Sequence, residues 1–352
     1  MFPYIALAAS VSGFSLLDRY YCRNVGRISD QARTWGVWDA LTVVVLISFS
    51  ALRYRVGTDF DLYLVLYKRL YVGNWIEQLA TSPQEFGFTL MSLVLRENFK
   101  SPYALLWATS VLTVVPAYAA MKKRSADMPM SIVLYVLLAF FVGPFNIIRQ
   151  GIAVSLSFWA DTFREKNRPI WITLNIVASS FHASVILVVA LQWVVRRFKI
   201  GHWHLLGVIV CAWMGAAFIL DLPIVLKWLS ALNPRYATYA ISEERSGIGT
   251  YLMLASRIAL VGYAVFLAKG QRNQWLAYCA VGIGFLAIGT QSVVVSRLEI
   301  YFGIYLTILL PNLMKERGRS DLERLTIVAA SAVYFVFYLN RYGGLLPYQT
   351  YL

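Results

Sequence analysis

The sequence predicts an all-α polytopic integral membrane protein, and three observations carry that prediction. Of its 352 residues 59% are apolar and only 14% charged, and apolar runs long enough to span a bilayer recur from end to end. The Lys and Arg residues behind the net charge of +14 fall in short clusters between those runs. Such clusters are topology signals, so the charge argues for orientation in a lipid bilayer and not for nucleic acid. The chain also lacks a soluble domain, a Gly/Ser linker, a fixed-period repeat and a low-complexity tract, so residues 1–352 read as a single membrane domain.

The elements follow in order. Residues 2–17 read as a retained first helix, since the run begins apolar without a basic n-region or a small-residue cleavage site. Clusters at Arg19 to Arg33, Lys122 to Arg124, Arg164 to Arg168, Arg196 to Lys199, Lys269 to Arg272 and Lys315 to Arg319 all belong in the cytoplasm under the positive-inside rule. Parity then gives the crossings. Residues 36–52 go out and 102–121 return; 129–145 go out and 151–163 return; 205–222 pair with 251–268 and 275–294 with 299–314; 321–340 exit. The expectation is about 11–12 transmembrane segments. Both ends are placed outside the cytoplasm.

One run strains the count. Residues 169–195 are apolar over 27 residues between two basic clusters, too long for one simple pass and too short for two, so a broken or re-entrant hairpin is expected. Its polar interruption, Ser179 to His182, puts His182 near the outer tip, and irregular backbone at that depth implies a cavity beside it. With this topology the polar residues collect on the outer side: Arg53, Arg55 and Asp59 after the second helix, Asn146, Arg149 and Gln150 between the fourth and fifth, His182, and Arg297 with Glu299. Outer segments 53–101 and 223–250 are less apolar and suit helices lying on the membrane face, roofing a site. Cys22, Cys211 and Cys279 share no metal-ligand spacing and are given no role. His202 and His204 sit beside an inner cluster and read as interface residues.

Each constellation has a structural reading beside its functional one. Arg149 at a helix end can snorkel to headgroups; the Asn-x-x-Arg-Gln spacing can equally set an amide and a guanidinium on one helical face suited to phosphate oxygens. Arg297 and Glu299 can form a structural ion pair, and His182 can serve only a helix break. Asp59 and Asp61 form an Asp-x-Asp able to hold a divalent metal, or a solvated turn paired with Arg53 and Arg55. No P-loop, nucleophile elbow or dinucleotide fingerprint is present.

Four motifs in register carry a resemblance: Arg55-Val-Gly-Thr-Asp-Phe60, Asn146-Ile-Ile-Arg-Gln-Gly-Ile-Ala153, Ser180-Phe-His-Ala-Ser184 and Ser296-Arg-Leu-Glu-Ile-Tyr-Phe302. Over about residues 40–315 the chain resembles the EpsG family of Wzy-like bacterial polysaccharide polymerases, with Phe60 where Tyr is more usual. The resemblance implies joining of lipid-linked oligosaccharide repeat units into O-antigen, capsule or exopolysaccharide. It places the site on the periplasmic side of the bacterial cytoplasmic (inner) membrane. It also implies a likeness to GT-C-type membrane glycosyltransferases, which use polyprenyl-diphosphate sugars.

Roles follow from that chemistry. Diphosphate departure needs preorganised positive charge, assigned to Arg149, Arg297 and Arg55. Asn146, Gln150, Glu299 and Arg53 are assigned to substrate. A base must take the acceptor proton, assigned to His182 with Asp59 as substitute. The expected reaction is inverting, with no metal and no cofactor. Polyprenyl-diphosphate-linked oligosaccharide is both donor and acceptor, and a chain-length regulator is a further partner to consider. A retaining route would want Glu299 as nucleophile. The competing classes are a flippase or transporter, which should show polar residues on both faces, an O-antigen ligase or membrane acyltransferase, and a passive assembly subunit that would tolerate loss of Arg149 and His182.

Overall fold

The computed structural model describes residues 1–24, 35–71, 73–198, 247–271, 273–290 and 292–352, with isolated positions 201, 204 and 207. The expected crossing at 205–222, residues 223–246 of the second outer segment, His202 and Cys211 lie outside the described residues. The protein is a polytopic, all-helical membrane protein: among the described residues the only extended pairing is an isolated bridge between Arg53 and Thr350. By length and apolar composition Tyr103–Arg124, Ile248–Ala268, Val293–Glu316 and Asp321–Arg341 can each cross a bilayer, and shorter apolar helices accompany them.

The chain divides into two compact units, Met1–Val189 with Met314–Leu352, and Ala190–Leu313. In the first, α1 (Phe2–Asn24), α2 (Val37–Ala51), α3 (Phe60–Arg69), α4 (Trp75–Thr81), α5 (Phe86–Asn98), α6 (Tyr103–Arg124), α7 (Met128–Leu137), α8 (Ile148–Asp161) and α9 (Arg168–Phe181) are followed by α10 (Ser184–Arg197), which runs on into the second unit. The second continues with α11 (Ile248–Ala268), α12 (Gln274–Gly289), α13 (Val293–Ser296), α14 (Ile300–Gly303) and α15 (Leu306–Glu316), the last leading back to α16 (Asp321–Arg341) of the first.

Helix starts obey local chemistry. Asp127 caps α7 through the Met130 amide and Asn167 caps α9 through the Ile170 amide, each with a proline in the first turn; Ser320 and Glu323 form a capping box on α16. These side chains satisfy amides that a helix start leaves unpaired.

The crossing expected at 129–145 ends early. Helix α7 stops at Leu137 and the chain turns through Ala139, at φ 66, into a short 3-10 segment, Gly143–Phe145. The left-handed Ala139 breaks the helical path, and Pro144, which lacks an amide hydrogen and restrains the residue before it, keeps an α-helix from running through to Asn146. Likewise 168–197 is two 14-residue helices interrupted at His182 and Ala183.

The two ends of the first unit differ in chemistry. At one, Lys122 donates to Asp39 at 2.7 Å and to Asp18 at 3.1 Å while the Tyr118 hydroxyl donates to Asp39 at 2.6 Å. Asp127 is held there by Arg19 and, at 3.6 Å, by Arg324. The basic residues thus meet buried acids that tie α1, α2, α6, α7 and α16 together. Helices α2 and α6 carry the chain from this end to the other, where Tyr4, Phe49 and Tyr348 pack their rings and Tyr103 stacks on Tyr351 at 3.8 Å.

Candidate active site

The aromatic end of the first unit gathers most of the polar residues that the sequence singles out. Asn146 follows the 3-10 turn and precedes α8. Its carboxamide oxygen accepts from the Thr58 amide at 2.8 Å, and its nitrogen donates to the Gly343 carbonyl at 3.1 Å. Close approach of three backbones demands glycine: Gly57 has φ 99, and a Cβ there would stand 2.7 Å from the Asn146 oxygen. The loop Gly57–Asp59 is thereby fixed against the start of α8.

Arg149 lies in the first turn of α8. It is ion-paired with Glu85, the residue before α5, and it faces the Tyr63 phenol. Tyr63 belongs to the buried stripe Phe60, Tyr63, Leu64 and Tyr67 of α3, an i, i+3, i+4, i+7 pattern that seats the helix. Burial pushes the Tyr63 phenol above its ordinary range, with Arg149 opposing the shift and Asp59 and Glu85 adding to it. Arg149 keeps 23% and Glu85 26% of their side-chain surface, and the Arg149 Nε is buried with no hydrogen-bond partner among the described residues. This leaves a guanidinium with one carboxylate, one phenol and spare donor capacity.

The expected common face of Asn146, Arg149 and Gln150 does not form. Asn146 precedes the helix and is clamped to two loops, Arg149 turns to Glu85, and Gln150 is buried on α8. Helical spacing set the expectation, and the helix begins two residues too late to honour it.

Arg53, assigned to substrate, is instead sealed at 2% exposure. It donates to the Ser50 carbonyl and hydroxyl and sits 4.5 Å over the Phe145 ring. It also lines, with Thr109, Ser110 and Thr113, a cavity of about 10 Å³, room for one water. Burial lowers its pKa to about 10. Arg55 is the exposed one, in the left-handed region at φ 52 and 4.0 Å from Asp61, strain of the kind stored at functional loops. Asp59 is partly exposed and accepts from the Thr58 hydroxyl at 3.2 Å.

His182 caps α9 in extended conformation. Its Nδ1 meets the Ser184 hydroxyl at 2.7 Å and accepts from the Ser184 amide at 3.3 Å. An accepting Nδ1 puts the proton of a neutral ring on Nε2, so in this geometry the ring offers an N–H donor and its basic lone pair is engaged. The helix carrying it is tied to Arg149's surroundings: Gly87, two residues after Glu85, packs directly on Ser180.

In the second unit, Glu299 is ion-paired with Arg257 of α11 at 2.7 Å, with side chains 4% and 3% exposed. The partner expected was Arg297, which occupies the 3-10 turn Arg297–Glu299 with intermediate exposure. Among the described residues no three His, Cys, Asp or Glu side chains gather as a metal site.

Sequence reasoning missed Glu85, Tyr63, Arg257 and Gly343. Arg257 was legible, as a lone arginine inside an apolar helix is a signal in itself; Tyr63 was legible as an amphipathic stripe. Glu85 and Gly343 depend on chain reversals that no local pattern announces.

The EpsG family model matches residues 37–350. The chain belongs to the EpsG family. This is a family of Wzy-like polysaccharide polymerases, and the match takes in the Gly57–Asp59 loop, Arg149, His182, Glu299 and Gly343 alike. No curated protein and no solved structure matches the chain. As an EpsG-family member it is polymerase-like, associated with polysaccharide biosynthesis, and lipid-linked sugars and the membrane are the partners its family implies.

Proposed function

We propose that this EpsG-family protein joins polyprenyl-diphosphate-linked oligosaccharide repeat units by inverting glycosyl transfer, at the membrane surface on the periplasmic side. The observation that carries the reading is Arg149: a side chain that keeps 23% of its surface, with its guanidinium held by Glu85 and Tyr63 and a buried Nε that has no partner among the described residues. A diphosphate would exchange with the carboxylate and take up the spare donor, as bidentate charge-assisted bonds favour phosphate oxygens.

The acceptor hydroxyl oxygen attacks the anomeric carbon, the bond from that carbon to the diphosphate oxygen breaks, and the electron pair leaves on the polyprenyl diphosphate. Arg149 and Arg55 stabilise the developing charge. The acceptor proton goes to the Asp59 carboxylate. The Ser184 contacts of His182 favour it as a hydrogen-bond donor to the departing phosphate over its first assignment as base. Glu299, the nucleophile a retaining route would use, is committed to Arg257 at 2.7 Å, which supports direct attack. The positive-inside reading of the basic clusters supports that face.

The test is polymerisation by purified protein from lipid-linked repeat units, read as a gel ladder. Wild type is expected to build a ladder with or without EDTA, and folded Arg149→Ala and Asp59→Asn to build none in the time wild type needs. Normal ladders from both variants would sink the assignment, and loss of the ladder in EDTA alone would turn Asp59 and Asp61 into a metal site.

A further inference from the structure

We infer that the segment Gly343–Tyr351 is a working part of the donor site, and that Gly343 is a positioning residue acting through the Asn146 carboxamide. The inference rests on the reading of Asn146 and Arg149 as the diphosphate site and adds to it a stretch that no motif marked.

After α16 the chain turns through two glycines in the left-handed region, Gly343 at φ 68 and Gly344 at φ 58. It then runs back across the ends of α2 and α6. Gly343 accepts from the Asn146 side chain at 3.1 Å, and Gly344 accepts from the Gly57 amide at 3.0 Å. Gln349 accepts from the Tyr54 amide at 2.8 Å, and the Tyr351 amide donates to Leu52 at 3.2 Å. The Trp107 indole donates to the Tyr351 hydroxyl at 2.9 Å, the Tyr348 hydroxyl donates to the Phe49 carbonyl at 2.6 Å, and Leu345 is fully buried. The loop Leu52–Thr58 is thus bonded along one side by this strap.

Asn146 is thereby clamped at both ends of its carboxamide: the oxygen accepts from the Thr58 amide and the nitrogen gives one of its two hydrogens to Gly343, so the carboxamide orients the Thr58 amide and the start of α8, three residues before Arg149. A Cβ at Gly343 would overlap the Asn146 nitrogen itself. Gly318 supplies a matched control: it has φ 59, the same backbone demand, and open space where a Cβ would go.

The experiment measures binding of a short-chain polyprenyl diphosphate and the KM and kcat for lipid-linked repeat units. Both are read on wild type, Gly343→Ala, Gly318→Ala, Asn146→Ala and the double variant Asn146→Ala/Gly343→Ala, with melting curves as the check on folding. The expected result is that Gly343→Ala weakens binding and raises KM by about tenfold with kcat held within about twofold, while Gly318→Ala does neither. In the Asn146→Ala background, where the overlapping nitrogen is gone, Gly343→Ala should add nothing. If Gly343→Ala alone fails to fold, the double variant must recover the fold. Equal behaviour of the two glycine variants, or additive losses in the double variant, would overturn the positioning role. A failure of the diphosphate reading itself is distinguishable, because Arg149→Ala would then bind as wild type does.

Discussion

Two arginine–glutamate pairs in this protein invite comparison. Arg257 and Glu299 meet at 2.7 Å with 3% and 4% of their side chains exposed, whereas Arg149 and Glu85 retain 23% and 26%. The first pair is sealed among apolar helices, where two charges persist only because each neutralises the other. The second lies at the aromatic end of its unit, beside a strained loop and a phenol, and is only partly covered. A sealed pair must stay closed; an open one can change partners. The same two residue types serve structure in one unit and are proposed to serve chemistry in the other.

The comparison can be broken by substitution. The largest effect is expected at the sealed pair: Glu299→Ala should destabilise the protein by about 3–5 kcal/mol, while Arg257→Met/Glu299→Leu should recover most of that loss, both read from thermal melting in detergent. Next comes Arg149→Ala, expected to slow polymerisation by about 10²–10³ with an unchanged melting temperature. A large stability loss there would make the open pair structural after all. Glu85→Gln should cost under about 1 kcal/mol of stability, as partly exposed pairs do, and leave kcat/KM equal to wild type or raise it by a few fold, since the carboxylate no longer competes with the diphosphate for the guanidinium. The smallest change belongs to Arg53→Met. Its guanidinium is buried without a carboxylate beside it among the described ion pairs, so an apolar replacement should leave stability within about 1 kcal/mol of wild type or raise it.

Much of this architecture was legible in the sequence because lipid permits so few solutions. Apolar runs must be helices, and at one end of the first unit Lys122, from one of the basic clusters, meets Asp18 and Asp39. Thr58 of the Gly57–Asp59 loop and Asn146, 88 positions apart, both stand in motifs named from sequence and are hydrogen-bonded. What failed did so for identifiable reasons. The run that hydropathy joined breaks at Leu137 and Ala139, and α8 begins only at Ile148, so Asn146 lies outside the helix whose spacing had grouped it with Arg149 and Gln150. Arg53 carries a charge, which suggested a substrate or a nearby aspartate as its partner, yet its guanidinium found a carbonyl, a hydroxyl and a ring. Arg257 and Glu299 are 42 residues apart, and ion-pair choice across such a gap follows from packing that no window of sequence contains. The strap at Gly343–Tyr351 was invisible because its contacts are to backbone, which every residue offers.

The central claim is that Arg149 gives up Glu85 for a diphosphate. Phosphorus NMR of a short-chain polyprenyl diphosphate titrated with wild type, Glu85→Gln and Arg149→Ala tests it most directly. The account predicts shifted and broadened resonances with wild type and with Glu85→Gln, and a spectrum close to the free ligand with folded Arg149→Ala. Undiminished binding to Arg149→Ala would contradict it.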